Sequence, residues 1–173
     1  MNAKNSDEIL LASLKTFFED KNNLIAMMEV IRNQTISMRV LDWFVSNYSK
    51  KNNVCFLTKT NKYFNIYLEY KSSLKSYSKR FFDPFCRGPR VTFKDAEGKE
   101  FSTTVGQLNF FRWAIKNELI LQCKDIVDDV EQDMISAVKR RKSADKNDSR
   151  RELSKAKLKQ CVTTDTKIVI SFS

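Results

Sequence analysis

Histidine is absent from the chain, and glycine and proline are nearly so, with three and two among 173 residues. Without histidine there is no Ser-His-Asp hydrolysis, no Cys-His proteolysis and no His-ligated zinc. Three glycines cannot build a glycine-rich phosphate cradle, a collagen-like repeat or a flexible linker. The four cysteines stand at 55, 86, 123 and 161, with no C-x-x-C pair for a zinc ribbon or a redox motif. No run of 18 apolar residues offers a membrane span. The first eight residues are polar and lack the basic-then-apolar order of a secretory leader. We therefore expect four free thiols in a reducing compartment and no membrane association.

What is present is apolar mass and positive charge. Hydrophobic residues make up 42% and aromatics 12%, with 13 phenylalanines, which is enough to build a core rather than a disordered chain. Lysine and arginine number 31 against 21 acids, a formal net charge of +10. The fold class expected is α+β, a helix-rich single domain with one or two small antiparallel hairpins and a C-terminal strand. Residues 1–36 are expected as an N-terminal helical appendage or dimer contact, and 37–173 as the main domain.

Asn5 with Glu8 reads as a helix start, followed by Leu10, Leu14 and Phe17 at helical spacing. A second helix follows Asp20, and a third runs over 37–49 with Ser37 as its cap. Phe64, Ile66, Leu68 and Tyr70 alternate, predicting a strand to about Tyr70 paired with 54–57 across a turn at 59–62. A short helix is expected from Ser72, and the rival reading is one helix through Tyr67, Leu68, Lys71, Leu74 and Phe81. Pro84 and Pro89 bracket an irregular segment. Val91 and Phe93, a turn at 95–98 and Phe101 predict a hairpin. Thr104 with Gln107 forms a capping box for a helix ending near Asn117, and a last helix is expected from about Lys124 to Lys142.

The strongest functional signal is the stretch 139–159, where ten basic residues face three acidic ones, so most of the net charge lies there. A strand over 167–172 after it suggests a charged loop held at both ends by folded structure. Lys139, Arg140, Arg141, Lys142, Arg150, Arg151, Lys155 and Lys157 are the candidate contacts to nucleic-acid phosphates, an attraction largely indifferent to sequence. Asp145 and Asp148 interrupt the run and argue against a continuous cationic helix. A second cluster adds Lys79, Arg80, Arg87 and Arg90, interleaved with Phe81, Phe82 and Phe85. Those phenylalanines read as core rather than as base-stacking platforms. Asp128, Asp129, Glu131 and Asp133 read as a solvated helix face, not a metal site. Cations flank Cys86, but no base accompanies it, so we expect neither a catalytic residue nor a cofactor.

The blocks MRVLDWFVSNYSKKNN (38–53), FNIYLEYKSSLKSYSKRFFDPFCR (64–87), FSTTVGQLNFFRWAIKN (101–117) and RRELSK (150–155) together resemble a conserved, poorly characterised family of the nucleocytoplasmic large DNA viruses, of the marseillevirus, iridovirus and phycodnavirus type. The likeness covers about residues 37–173. It implies a virus-encoded protein of the infected cell, at the cytoplasmic viral factory or in the nucleus, or packaged in the virion, and associated with viral DNA or its expression. The leading expectation is a non-enzymatic protein binding DNA, in preference to RNA, through its phosphates. The alternative is a scaffold that recruits host or viral protein partners, with the basic stretch as a nuclear address.

Overall fold

A computed structural model describes residues 3–57, 63–94 and 97–152, with side chains from 7 to 143 within those spans. The chain divides into two units, residues 1–136 and 137–173. The first unit is α+β: two antiparallel hairpins among helices.

Helix α1 (Ala3–Glu19) begins before the expected start, so Asn5 lies inside the first turns rather than capping them. Asp20 caps α2 (Lys21–Ile31) as expected, its carboxylate accepting from the Asn22 amide at 2.9 Å. Ser37 likewise caps α3 (Met38–Trp43), accepting from the Val40 amide at 3.1 Å. The third helix runs on through a π-helical turn (Phe44–Tyr48) into α4 (Ser49–Asn52), and Asn53 closes it in the left-handed region at φ 49°. The Ser49 hydroxyl, fully buried, donates to the Phe44 carbonyl at 2.6 Å, supporting the widened turn.

Strands β1 (Cys55–Leu57) and β2 (Tyr63–Asn65) pair as the first hairpin, with Phe56 opposite Phe64. The expected turn between them lies outside the described residues. The strand does not continue to Tyr70. Asn65 accepts from the Leu68 amide at 3.0 Å and starts α5 (Ile66–Phe81), so the helical reading holds from Ile66 onward. An N-cap side chain and an apolar Ile66 facing the core outweigh the alternation of apolar residues, which fits both periods.

Residues 82–89 are irregular, as the two prolines require. Strands β3 (Arg90–Lys94) and β4 (Glu100–Thr104) form the second hairpin, pairing Phe93 with Phe101. In its turn Gly98 adopts φ 82°, while residues 95 and 96 lie outside the described set. Helix α6 (Val105–Lys116) ends at Asn117 as expected. A helix missing from the expectations, α7 (Leu119–Asp125), follows Glu118 at φ 55°. Helix α8 (Val127–Glu152) then runs ten residues beyond the expected end. The stretch 139–152 is therefore helical, not a loop, and the expected strand at 167–172 lies outside the described residues.

The core of the first unit is organised around α6, against which α1, α2, α5 and α7 pack. Leu108, Phe110, Phe111 and Ala114 are wholly buried there, so α6 is covered on most sides. Leu14, Phe18, Leu24 and Met27 bring α1 and α2 into the same buried cluster. Burial of each such side chain contributes about 2 kcal/mol. Among the described residues, no helix is long and apolar enough to cross a membrane.

Candidate nucleic-acid interface

The segment 82–89 is held by the N-terminal turn of α6. The Asp83 amide donates to the Gly106 carbonyl at 3.2 Å. Gln107, buried, donates from Nε2 to the Pro84 carbonyl at 2.9 Å and accepts at Oε1 from the Thr103 hydroxyl at 2.9 Å. Asn109 donates to the Phe81 carbonyl at 2.8 Å. Thr104 caps α6 by accepting from the Gln107 amide at 3.1 Å, but the Gln107 side chain does not return to the cap. It is spent instead on the irregular segment. Phe82, 2% exposed, anchors that segment from inside, with ring centroids of Trp113 at 5.4 Å, Phe110 at 5.5 Å and Tyr70 at 6.0 Å. The expectation that these phenylalanines are core holds fully for Phe82, while Phe81 and Phe85 are half-buried beneath Arg80 and Arg87.

On this frame, three of the four cations expected at 79–90 share one cleft of about 370 Å³, lined by Lys79, Arg80, Asp83, Arg87, Gly88 and Thr104. Ser78 turns the chain there with φ 60° and ψ 167°, a region costly for any residue with a side chain. Arg87 forks onto buried Asp83, with contacts of 2.9 and 2.5 Å, and its guanidinium lies 5.3 Å from the Phe85 ring centroid. Arg90 does not line the cleft; it is exposed at the start of β3 and donates to Cys86 Sγ.

Behind the Asp83–Arg87 pair lies Asp42 on α3. Burial, with the nearby negative charge of Asp83, pushes its carboxyl up to about 6, and Arg87 offsets part of that rise. Burial, then Asp42 and Asp83, raise the Tyr70 phenol to about 12. Sequence reasoning missed this partly buried group, because Asp42, Tyr70 and Asp83 come from three separate elements.

On α8, Lys139, Arg140, Arg141 and Lys142 are all exposed. Arg150 and Arg151 fall within the same helix, though their side chains lie outside the described set, and Lys155 and Lys157 lie beyond the described residues altogether. At 100° per residue, positions 139, 142, 146 and 150 fall within a sector of about 80°, and positions 145, 148 and 152 gather about 130° away from its middle. Arg141 falls among the acids and Arg140 and Arg151 on a third side, so the helical register gathers four of the basic positions without uniting the whole run.

The acidic group on α8 also divides. Asp128, Asp129 and Glu131 are exposed as expected, but Asp133 accepts from Trp43 Nε1 at 2.9 Å and is paired with Lys51. Among the described residues, no group of three or more acidic or cysteine side chains is placed to hold a metal ion. Cys55, Cys86 and Cys123 are free thiols. Burial, with Glu131 nearby, pushes the Cys123 thiol up to about 12, so it stays protonated. Lys71 and Lys75, not among the expected phosphate contacts, stand on the exposed side of α5, one helical turn apart.

Among known proteins, the chain is 40% identical over 156 residues to "Uncharacterized protein L507" of Acanthamoeba polyphaga mimivirus, an alignment covering 85% of this chain and 60% of that protein. The chain thus spans less than two thirds of its relative's length. No solved structure matches. The model of a family of unknown function (DUF7197) matches residues 2–173, nearly end to end. With that match and a giant-virus relative at this level of identity, the chain belongs to this poorly characterised family.

Proposed function

We propose that this chain is a non-enzymatic viral protein that binds duplex DNA through backbone phosphates, with little sequence preference, during genome handling or expression. We extend the same reading to relatives across the large DNA viruses, acting at the viral factory, in the nucleus or within the virion. The observation that carries it is the register of α8, which gathers positions 139, 142, 146 and 150 on one side and the three acids of the stretch on another. Lysines and arginines spaced along one side of a helix displace counterions from a phosphate ladder without reading bases. Lys79, Arg80 and Arg90 supply further positive charge in the first unit, and Arg87, paired with Asp83, lines the same cleft as Lys79 and Arg80.

Titration of a fluorescent duplex at several salt concentrations tests the reading. With about five phosphate contacts, log affinity falls against log salt with a slope near −4.5. Replacing Lys139, Lys142, Lys146 and Arg150 with Gln should weaken binding and flatten that slope by about 3 to 4. Asp145→Asn with Asp148→Asn should leave binding as tight or tighter. A four-site variant that matches wild type in affinity and slope defeats the reading.

A further inference from the structure

Two surface clefts of the first unit meet at one residue. The groove along the exposed side of α5 is lined by Leu68, Lys71, Ser72, Leu74, Lys75 and Lys79, with a volume of about 650 Å³. The cleft beside the 82–89 segment is also lined by Lys79, together with Arg80 and Arg87. Lys71, Lys75 and Lys79 therefore lead, four residues at a time, into the arginines. From Lys71 to Lys75, on continuous helix, four residues rise about 6 Å. That step is close to the separation of successive phosphates along one nucleic-acid strand. Ser78 breaks the helix just before Lys79, so the row bends into the second cleft at the point where the two share a residue.

The floor of the groove differs from an ordinary cationic surface. Leu68 is 63% exposed, and Leu74 is half-buried beside it. A leucine left this open beside a row of lysines suits an occupant carrying an apolar face and a regular row of negative charge together. Unpaired bases joined by phosphates have both; a duplex hides its base faces and offers only the phosphates.

We propose that the α5 groove, running from Leu68 past Lys71, Lys75 and Lys79 to Arg80 and Arg87, is a track for a single strand of nucleic acid. Phosphates lie along the lysines, and bases rest against Leu68 and Leu74. This site belongs to the first unit and stands or falls apart from the duplex reading of α8.

The test uses the full chain and fluorescein-labelled oligo(dT), followed by anisotropy across a salt series. Lys71→Gln, Lys75→Gln and Lys79→Gln combined should lower affinity more than about tenfold and flatten the salt slope by about 2. The corresponding three arginine substitutions should restore both. Leu68→Ser should weaken oligo(dT) binding without changing the slope, because it removes contact with bases and no charge. All these positions but half-buried Leu74 are exposed, and circular dichroism checks that the helix content is kept. Unchanged oligo(dT) affinity in the triple glutamine variant overturns the proposal. So does loss of binding to anionic vesicles alone, which assigns the groove to a membrane surface. The four-site α8 variant, titrated in parallel, should still lose oligo(dT) affinity when the three α5 lysines are removed. If it does not, the strand binds through α8 and the track is refuted.

Discussion

Gly106 sits where the backbone of α6 nearly touches the end of α5. A Cβ on it would lie 2.8 Å from the Arg80 carbonyl oxygen, a backbone atom that cannot swing aside. Gly106→Ala should therefore destabilise the protein by about 1–3 kcal/mol, measured as a lower urea midpoint with an unchanged slope. Asp42 makes a different prediction. Its carboxyl titrates at about 6 in the folded chain, above the ordinary 3.8, so the folded state holds a proton that the unfolded state releases first. Stability should fall as pH rises from about 4 to about 6 and then level off, by on the order of 2 kcal/mol after solvent screening. Asp42→Asn should match wild type near pH 4 and exceed it near pH 8, as urea unfolding at the two pH values will read. Local caps were legible at this scale: Ser37, Asp20 and Thr104 each satisfy an amide two or three residues on, and short range is what a sequence displays. Gln107 was recognised as a cap partner, but its side chain is committed to Pro84, 23 residues away, a distance at which sequence carries no spacing rule.

At the level of elements, the junction of β2 and α5 decides where the cationic groove begins. Asn65 accepts the Leu68 amide and donates from Nδ2 to Asn53 Oδ1 at 2.9 Å and Cys55 Sγ at 3.1 Å, so one side chain ties helix start to hairpin. Asn65→Ala should cost about 1 kcal/mol in thermal or urea unfolding, with hydrogen exchange rising first in the opening turn of α5. The sequence left two readings here because Phe64, Ile66, Leu68 and Tyr70 satisfy a strand, while Tyr67, Leu74 and Phe81 satisfy a helix. The cap settles it, and only Ile66 of the alternating set is fully buried on α5. The reading of a strand to Tyr70 also concealed Lys71 and Lys75, whose spacing has meaning only on a helix. Helix α7 was missed because Asn117 does end α6, yet the chain restarts after a single left-handed residue, Glu118. The end of α8 was placed too early because charge replaces the apolar stripe after Val138, and helical periodicity read from apolar residues stops where they do.

For the molecule as a whole, the α+β class and both hairpins were legible, since alternation and turn residues are strong in short stretches. The convergence of Asp42, Tyr70, Asp83 and Arg87 was not, because it depends on how three helical or irregular elements meet. The absence of histidine gives the chain a further property. With no imidazole to titrate, its positive charge should hold nearly constant through the neutral range. The salt concentration that elutes the protein from a heparin column should then barely change between about pH 6.5 and about pH 8. A large drop across that interval would point to a titrating group controlling polyanion retention.

The bond from the Trp43 indole to Asp133 ties α3 to the first part of α8, with Lys51 closing on the same carboxylate. Trp113, the other indole, is half-buried against Tyr70, Phe82 and Phe110. The molecule thus contains two fluorophores of unlike surroundings, one bonded to a carboxylate and one among aromatic rings. Replacing Trp113 with Phe would leave a single optical gauge of whether α8 stays docked on α3 when a polyanion arrives, readable without any attached dye.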